Sequence, residues 1–264
     1  MAWDVTWDET GARTIETGTK QGMLYPMADN GSGYGDGVAW EGLREVNNQP
    51  SGAEETKLWA DDIKYMSLRS AEEFGITIGA YKSPAEFDEC DGSALPATGV
   101  RVGQQKRKTF GFSYVNTIAN DTLGYDYGYE IHIVYGLTAS PSERTHSSIN
   151  ESPEGSELSW ECSSVPVNMT GFKPTSEIVI EVTPDTGLLT HNSDGTITKD
   201  SKVIALETIL YGTAADSTVS PAIAEVKPRL PMPDEIYGTN GREVYCGVSR
   251  RGYGGIHGQD RVYF

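Results

Sequence analysis

The chain has 264 residues, long enough for one large domain, with 21 Lys and Arg against 38 Asp and Glu and a formal net charge of −17. This charge argues against a protein that grips nucleic acid, since phosphate binding needs clustered cations. Its 14 Tyr, 30 Gly and 13 Pro are typical of a sheet-rich protein with many turns.

Two further features concern where the protein is made. The first 30 residues contain no apolar segment of the kind found in signal peptides, and no stretch approaches the ~20 apolar residues of a membrane span. Cys90, Cys162 and Cys246 are widely spaced and form no CxxC pair, as expected for reduced thiols. We therefore expect a soluble protein that is made in the cytoplasm and has no membrane partner.

The first predicted segment is an N-terminal arm, residues 1–36. It carries Trp3, Trp7 and Tyr25 without a sustained period and ends in a glycine-rich run at 31–37. An aromatic segment without its own core usually docks on its domain or on a neighbour. Trp3 and Trp7 are therefore candidate contacts between subunits.

Residues 37–236 are predicted to form a β domain. Alternation of apolar and polar side chains, the period of a half-buried strand, is clearest around residues 74–81. A polar loop is expected at 47–56, and a capping box at 83–86 predicts a short helix through about Glu89. The predicted strands are 38–46, 58–68, 74–81, 109–118, 129–135, 158–162 and 177–182.

One longer helix is predicted after a hairpin. Asp194-Gly195 is typical of a hairpin turn, and the surrounding residues lack the first and last ligands of a calcium loop. Asp200 is placed to cap the helix, and Gly212 stands where it should end. The apolar stripe of this helix consists of Val203, Leu206, Ile209 and Leu210. The predicted fold is mainly β: a sandwich or barrel of two packed sheets with one flanking α-helix and extended N- and C-terminal arms.

Two basic segments stand out in this acidic chain. Residues 237–264, the predicted C-terminal extension, hold four Arg against two acids, so we expect Arg250 and Arg251 to contact an acidic neighbour, unless the segment is a loose terminus. The second segment groups Arg101 with residues 106–108. These four side chains could bind phosphate, but pairing with acids of their own or a neighbouring copy is favoured. We therefore expect them at subunit contacts or on the outer surface of an assembly. The members of this second group are Arg101, Lys106, Arg107 and Lys108.

No catalytic constellation is found in the sequence. The four His form no HxxxH pair, and GxSxG is absent. Adjacent acids such as Glu72-Glu73 point to opposite faces of a strand, so each pair supplies at most one carboxylate to a site. We expect a protein that is not an enzyme and has neither cofactor nor metal site.

Several segments resemble the major tail protein family of long-tailed, siphovirus-type bacteriophages of Gram-positive hosts. The resemblance runs in order across 37–236 and is carried by LWADDIKYMSLRSAEEFG (58–75), AEFDECDGS (85–93), GQQKRKTFGFSY (103–114), NDTLGYDYGYEIHIVYG (120–136), ASPSERTHSSINESPE (139–154), ELSWECSSVPV (157–167), GFKPTSE (171–177), LETILYGT (206–213) and PRLPMPDE (228–235). The segment 185–198 reads as an inserted hairpin, and residues beyond 237 lie past the pattern of the family.

The resemblance implies a tail-tube fold and a structural role in the virion. The subunit would form hexameric rings that stack into a hollow tube. Its implied partners are further copies of itself, a tape measure protein in the lumen, tail terminator and distal tail or baseplate proteins at the ends, and viral DNA in transit without specific binding. Lysines facing the lumen would retard DNA, so a net-negative lumen is expected. The lumen-facing candidates are Asp61, Asp62, Glu72 and Glu73.

Two other classes of function remain open from the residues alone. A carbohydrate-binding or adhesive β-sandwich would stack sugars on aromatic side chains, with Trp40 and Trp59 as candidates. A hydrolase with paired carboxylates would need two acids in one site, and the sequence nominates no such pair.

Overall fold

The computed structural model describes residues 7–29, 31, 33–52, 54–142, 144, 155–215 and 225–237. A 3₁₀ turn at Ala85–Phe87 accompanies the strands and helices of these residues. In chain order they are β1 (Thr14–Pro26), β2 (Val38–Ala39), β3 (Leu43–Asn48), β4 (Ser51–Gly52), β5 (Glu55–Ala60), β6 (Ile63–Arg69), β7 (Glu72–Glu73), β8 (Gly75–Ala80), β9 (Ala94–Ala97), β10 (Val100–Val102), β11 (Phe110–Asn120), β12 (Gly124–Ala139), β13 (Leu158–Ser164), β14 (Glu177–Val182), β15 (Leu189–His191), β16 (Ile197–Lys199), α1 (Ser201–Tyr211) and α2 (Pro233–Tyr237).

The prediction of a mainly β protein is confirmed. Eight strands form one antiparallel sheet in the order β2-β1-β11-β12-β13-β8-β3, with β14 paired to β12 beside β13. The long strand β12 serves both neighbours, because residues 129–134 pair with β14 and residues 137–139 pair with β13. Between them Gly136 has φ 62, and a side chain there would overlap the carbonyl oxygen of Val165. Glycine therefore permits the change of partner.

One face of this sheet encloses an aromatic core, which we call the inner cluster. The edge strands β2 and β3 are joined only by residues 40–42, so the two ends of the sheet lie close together. Trp40 lies within this closure, and its ring packs on Phe87 at 4.7 Å and on Trp160 at 5.5 Å between centroids. The buried members of the inner cluster are Leu24, Trp40, Ile76, Ile78, Ala80, Phe87, Cys90, Phe110, Phe112, Tyr114, Val134, Leu137, Ala139, Trp160 and Cys162.

The opposite face carries α1, as the sequence predicts. Asp200 caps α1 by accepting from the Lys202 amide at 2.8 Å, and Gly212 ends the helix with φ 73. The Tyr25 hydroxyl donates to the carbonyl of Leu210 at 2.9 Å and so ties the helix to β1. The buried members of this helix-side cluster are Met23, Tyr25, Val115, Ile131, Ile133, Tyr135, Ile180, Val182, Leu189, Val203, Leu206, Ile209, Leu210, Leu230 and Ile236.

The prediction that 1–36 is an arm without a core element is wrong for residues 14–26. Residues 14–26 form β1, which pairs with β11 over its whole length and buries Leu24 and Tyr25 in opposite clusters. Register shifts interrupt this pairing near Gly18, with φ 67, and Gln21, with φ 54. These two irregularities break the period of two, so the alternation that marks a strand is missing from the sequence.

Two predicted single strands are each a pair of strands. Residues 38–46 divide into β2 and β3 at a turn where Gly42 has φ 73. Residues 58–68 belong to a hairpin of β5 and β6, whose two-residue turn is Asp61-Asp62 with φ 49 and 61. Both φ values are positive, as a type I′ turn requires, but the usual Asn-Gly or Asp-Gly signal is absent. The predicted loop 47–56 also contains the end of β3, all of β4 and the start of β5.

The remaining strand predictions agree with β8, β11, β12, β13 and β14, and the hairpin at 185–198 is β15 and β16. The capping box is wrong, because the turn at Ala85–Phe87 follows Pro84 without a side-chain cap. The C-terminal extension lies outside the described residues apart from Tyr237. No helix in the described ranges is long and apolar enough to cross a bilayer.

Candidate interaction surfaces

The hairpin formed by β5 and β6, residues 55–69, is the longest fully exposed element among the described residues. Every residue of both strands is exposed. At its base the short ladder of β4 and β7 pairs Ser51 with Glu73 and Gly52 with Glu72. An isolated two-stranded ribbon is marginally stable in water, so a hairpin of this length gains from a partner surface.

The two faces of the hairpin differ in character. Cross-strand pairing places Leu58 opposite Met66, and Thr56 opposite Leu68, on one face. The side chains of Leu58, Met66 and Leu68 are 42%, 48% and 50% exposed. Glu55 lies on the other face, where it accepts hydrogen bonds from Lys64 and Ser67, and the Lys64 contact lowers the pKa of this carboxyl. The hairpin is therefore amphipathic, with a half-exposed apolar face whose side chains belong to neither buried cluster.

The tip of the hairpin combines large apolar side chains with two acids. Trp59, Ile63 and Tyr65 are 66%, 64% and 71% exposed. Asp61 and Asp62 form the turn between them, and neither carboxylate contacts a cation among the described residues. Exposed apolar groups clustered on one projection mark an interaction site.

The four acids predicted to face a lumen therefore lie at the two ends of the hairpin. Asp61 and Asp62 occupy its tip, whereas Glu72 and Glu73 lie in β7 at its base and are exposed. Their orientation toward a channel stays a prediction.

A second group of acids, absent from the sequence prediction, lies on the sheet itself. The register places Glu130 on β12 opposite Glu181 on β14, and Glu16 on β1 opposite Ile118 of β11. Glu177 extends the same face of β14, because it stands four residues before Glu181. We call this surface, made by Glu16, Glu130, Glu177 and Glu181, the acidic face. The acidic face lies on the same side of the sheet as the inner cluster.

His132 lies at the centre of the acidic face. Its Nδ1 is 3.0 Å from Oε1 of Glu177, and its Nε2 is 3.3 Å from Oε2 of Glu130. Partial burial raises the pKa of Glu130, and the nearby charges of Glu16 and Glu181 raise it further. The period-two spacing of Glu177, Val179 and Glu181 among apolar residues is the signal from which sequence analysis could have located this face.

The basic residues predicted to lie at subunit contacts are largely paired within the chain. Arg101 binds the buried carboxylate of Asp88 at 2.6 Å, and Lys108 binds Asp29 at 2.7 Å and Glu89 at 3.1 Å. This confirms, for Arg101 and Lys108, that they pair with acids of their own copy. Their position in an assembly stays a prediction.

Lys106 and Arg107 are arranged differently. Arg107 donates to the carbonyl of Asp91 at 3.0 Å, whereas Lys106 is exposed and contacts no acid among the described residues. Both line a cleft of about 580 Å³, which we call the basic cleft. Its walls are Met27, Ala28, Asp29, Gly31, Glu89, Ser93, Ala94, Gln105, Lys106, Arg107, Lys108 and Thr109.

Three of the predicted contact residues, Trp3, Arg250 and Arg251, lie outside the described residues. Trp7 is described and is 72% exposed. Among the described residues no group of three or more His, Cys, Asp or Glu is arranged to hold a metal ion. No protein-family model matches this chain, and no characterised protein matches it significantly in sequence.

Proposed function

We propose that this chain is the structural subunit of a phage tail tube. In this proposal its copies close into hexameric rings, the rings stack into the hollow tube of a virion, and DNA leaves through the lumen. The fold would be that of tail-tube proteins. The sequence resemblance suggests the family. The amphipathic hairpin supports the assembly of copies, and the acidic face supports a channel through which DNA passes.

The observation that carries the proposal is the amphipathic hairpin. An apolar face that includes Leu58, Met66 and Leu68 projects from the body and is about half exposed on each of these side chains. Burial of such surface stabilises an interface by about 25 cal/mol per Å². A monomeric protein gains nothing from this arrangement, whereas a subunit that polymerises needs it.

The acidic face supports the conduit. Glu16, Glu130, Glu177 and Glu181 lie on strands of one sheet around a single His132. A duplex carries about one negative charge per 1.7 Å, so an acidic wall repels it and keeps it from adhering. We propose that the acidic face contributes to the lumen wall together with Glu72 and Glu73 at the base of the hairpin, and that a tape measure protein occupies the lumen during assembly.

The ends of the tube would bind other proteins. The proposed partners are a tail terminator at one end and distal tail or baseplate proteins at the other. These partners come from the resemblance alone, and they follow only if the chain forms tubes.

Electron microscopy of the purified protein tests the proposal. Negatively stained samples over a wide range of concentration should contain rings or tubes with six-fold symmetry. A variant in which residues 55–69 are replaced by a short Gly-Ser linker should stay folded and fail to assemble, because the hairpin packs on no buried cluster of the body. A wild-type protein that stays monomeric at every concentration contradicts the proposal.

A carbohydrate-binding module is the second candidate. The exposed rings of Trp59 and Tyr65 could stack on sugars, but Trp40 is 4% exposed and donates its indole N–H to the Lys82 carbonyl at 2.8 Å. Only Trp59 of the two predicted tryptophans is therefore accessible. Binding of the wild-type protein to a glycan array that disappears in Trp59→Ala favours this candidate. If the wild-type protein binds no glycan, the tube proposal stays in place.

A further inference from the structure

We infer that the acidic tip of the hairpin in one copy of the chain enters the basic cleft of the next copy, so that Asp61 and Asp62 face Lys106. This inference rests on the proposed function, because it assumes that copies of the chain associate. It goes beyond that proposal by assigning the surface that receives the hairpin.

The net charge favours a receptor of opposite charge. Copies that each carry −17 repel one another, and a local contact between opposite charges offsets this repulsion. The basic cleft offers one, because three consecutive cations, Lys106, Arg107 and Lys108, line it against only two acids, Asp29 and Glu89. Lys108 already binds both acids, which leaves the ammonium of Lys106 without a counter-charge in the described chain.

The hairpin tip is narrow and complementary to the cleft in charge. Asp61 and Asp62 occupy both central positions of a two-residue turn, and neither carboxylate forms an ion pair in the described chain. Strands in such a ribbon are about 5 Å apart, which makes a tight turn the narrowest projection that a β structure can present. The fully exposed strands hold this turn away from the body of its own copy.

The apolar lining of the cleft matches the residues that flank the turn. Met27 and Ala28 are half-buried in its wall, and Ala94 lies beside them. Ala60 and Ile63 pair directly before and after the turn, and Ile63 is 64% exposed. Entry of the tip would therefore bury Ile63 against apolar atoms while the two carboxylates face the cations.

The symmetry of this contact fits an assembly that continues. The hairpin and the basic cleft are different surfaces of one molecule, so the interface is heterologous. Heterologous contacts generate rings when the rotation closes and filaments when it does not. Each copy in the interior of the assembly would use both surfaces once.

Zero-length cross-linking locates the contact directly. A carbodiimide joins a carboxylate to a lysine only when the two side chains touch. Protein labelled with nitrogen-15 is mixed with unlabelled protein before assembly, treated, digested and analysed by mass spectrometry. A peptide pair linking 61–62 to Lys106 with mixed isotopes is expected in assembled protein and absent from monomer. Assemblies that lack this pair, or that contain it only with unmixed isotopes, overturn the inference.

Charge reversal tests whether the contact matters. Asp61→Lys and Lys106→Glu should each raise the concentration needed for assembly by about tenfold, the factor that corresponds to 1.4 kcal/mol. Both changes in one chain should restore assembly toward wild type, because the reversed tip then meets a reversed cleft. Absence of this rescue overturns the inference.

Matched controls separate the contact from net charge. Asp126→Lys and Lys173→Glu change the charge equally at exposed side chains that form no hydrogen bond or ion pair in the described chain. Assembly should be unaffected by either, and an equal loss in these controls argues against a specific contact. A wild-type protein that never assembles contradicts the proposed function. If the wild-type protein assembles but the double variant does not recover assembly, this inference alone is contradicted.

Discussion

Tyr114 and His132 stack face to face across β11 and β12, with ring centroids 4.5 Å apart and planes 2° from parallel. This pair joins the inner cluster, to which Tyr114 belongs, to the acidic face around His132. The Tyr114 hydroxyl also donates to Oδ1 of Asn48 at 3.3 Å, and Nδ2 of Asn48 lies 3.4 Å from Glu177. The carboxylate of Glu177 is therefore held by a hydrogen-bonded network that begins in the hydrophobic core.

Removal of Glu177 should destabilise the fold. Its carboxylate faces Nδ1 of His132 and the amide of Asn48, so Glu177→Ala leaves a buried ring nitrogen without its partner. We expect a loss of about 1–3 kcal/mol in the free energy of unfolding, measured by urea denaturation. Glu86→Ala, at an exposed residue whose side chain forms no hydrogen bond or ion pair among the described residues, is the control and should change stability by less than about 0.5 kcal/mol. Equal stability of the two variants contradicts the network.

The raised pKa of Glu130 predicts a pH dependence. Burial and the charges of Glu16 and Glu181 raise this pKa above its ordinary value of 4.5, and the opposing effect of His132 is smaller. The folded protein therefore keeps the proton at a pH where the unfolded chain has released it. The contribution of Glu130 to stability therefore falls as pH rises from about 4.5 through the folded-state pKa. Glu130→Gln removes this decline and should be more stable than wild type at pH 7.

Denaturation midpoints of both proteins between pH 4 and pH 7 measure the effect. The advantage of Glu130→Gln should shrink in high salt, because screening weakens the repulsion from Glu16 and Glu181. A wild-type protein whose stability relative to Glu130→Gln is independent of pH contradicts this account.

Gly136 should tolerate no side chain. Its φ of 62 is unfavourable for other residues, and a Cβ would overlap the Val165 carbonyl at the point where β12 changes partner. Gly136→Ala should cost more than about 3 kcal/mol in the free energy of unfolding. Gly187→Ala is a matched control, since Gly187 has φ 72 but open space around it, and should cost only about 1–2 kcal/mol. Similar losses in both variants would show that the cost comes from backbone strain at positive φ, and not from overlap with the Val165 carbonyl.

The parts of the fold that sequence analysis located are those in which one local signal decides the structure. Asp200 and Gly212 delimit α1 because caps are chemical signatures, and regular alternation identifies β8, β11 and β14. β1 was missed because its irregular pairing near Gly18 and Gln21 interrupts the alternation. The hairpin was missed because Asp61-Asp62 turns the chain without glycine.

The interaction surfaces were predictable only in part, because they depend on which strands become neighbours. Adjacent charges such as Lys106 and Lys108 are visible in the sequence, but their pairing is not, since Lys108 binds acids at 29 and 89. The acidic face also depends on long-range pairing, because β11 lies between the strands that carry Glu16 and Glu130. Long-range register of this kind follows from tertiary packing and not from local pattern.

The structure of β1 predicts the result of an N-terminal truncation. Deletion of residues 1–26 removes Leu24 and Tyr25, both fully buried, and each buried side chain of this size contributes about 1.5–3 kcal/mol. This variant should show no cooperative thermal unfolding by circular dichroism. Deletion of residues 1–10 removes the exposed Trp7 and leaves β1 intact, so it should unfold cooperatively. A folded 27–264 fragment contradicts the importance of β1.

The apolar face of the hairpin gives the sharpest test of assembly. Leu58→Thr with Met66→Thr preserves strand propensity but removes two opposed apolar side chains that are 42% and 48% exposed. Because these side chains belong to neither buried cluster, the midpoint of thermal unfolding should barely change. Loss of their burial between copies should raise the concentration needed for assembly by about tenfold or more, as measured by sedimentation and electron microscopy.

The opposite face of the same hairpin supplies the matched control. Lys57 lies across from Ser67 on the polar face, so Lys57→Thr introduces the same residue into the ribbon without touching the apolar surface. We expect this variant to assemble at the wild-type concentration. If it is as defective as the Leu58 and Met66 variant, the hairpin acts through its overall stability and not through one face. If neither variant is defective, the hairpin does not carry the assembly, because a contact that buries Leu58 and Met66 cannot be indifferent to their loss.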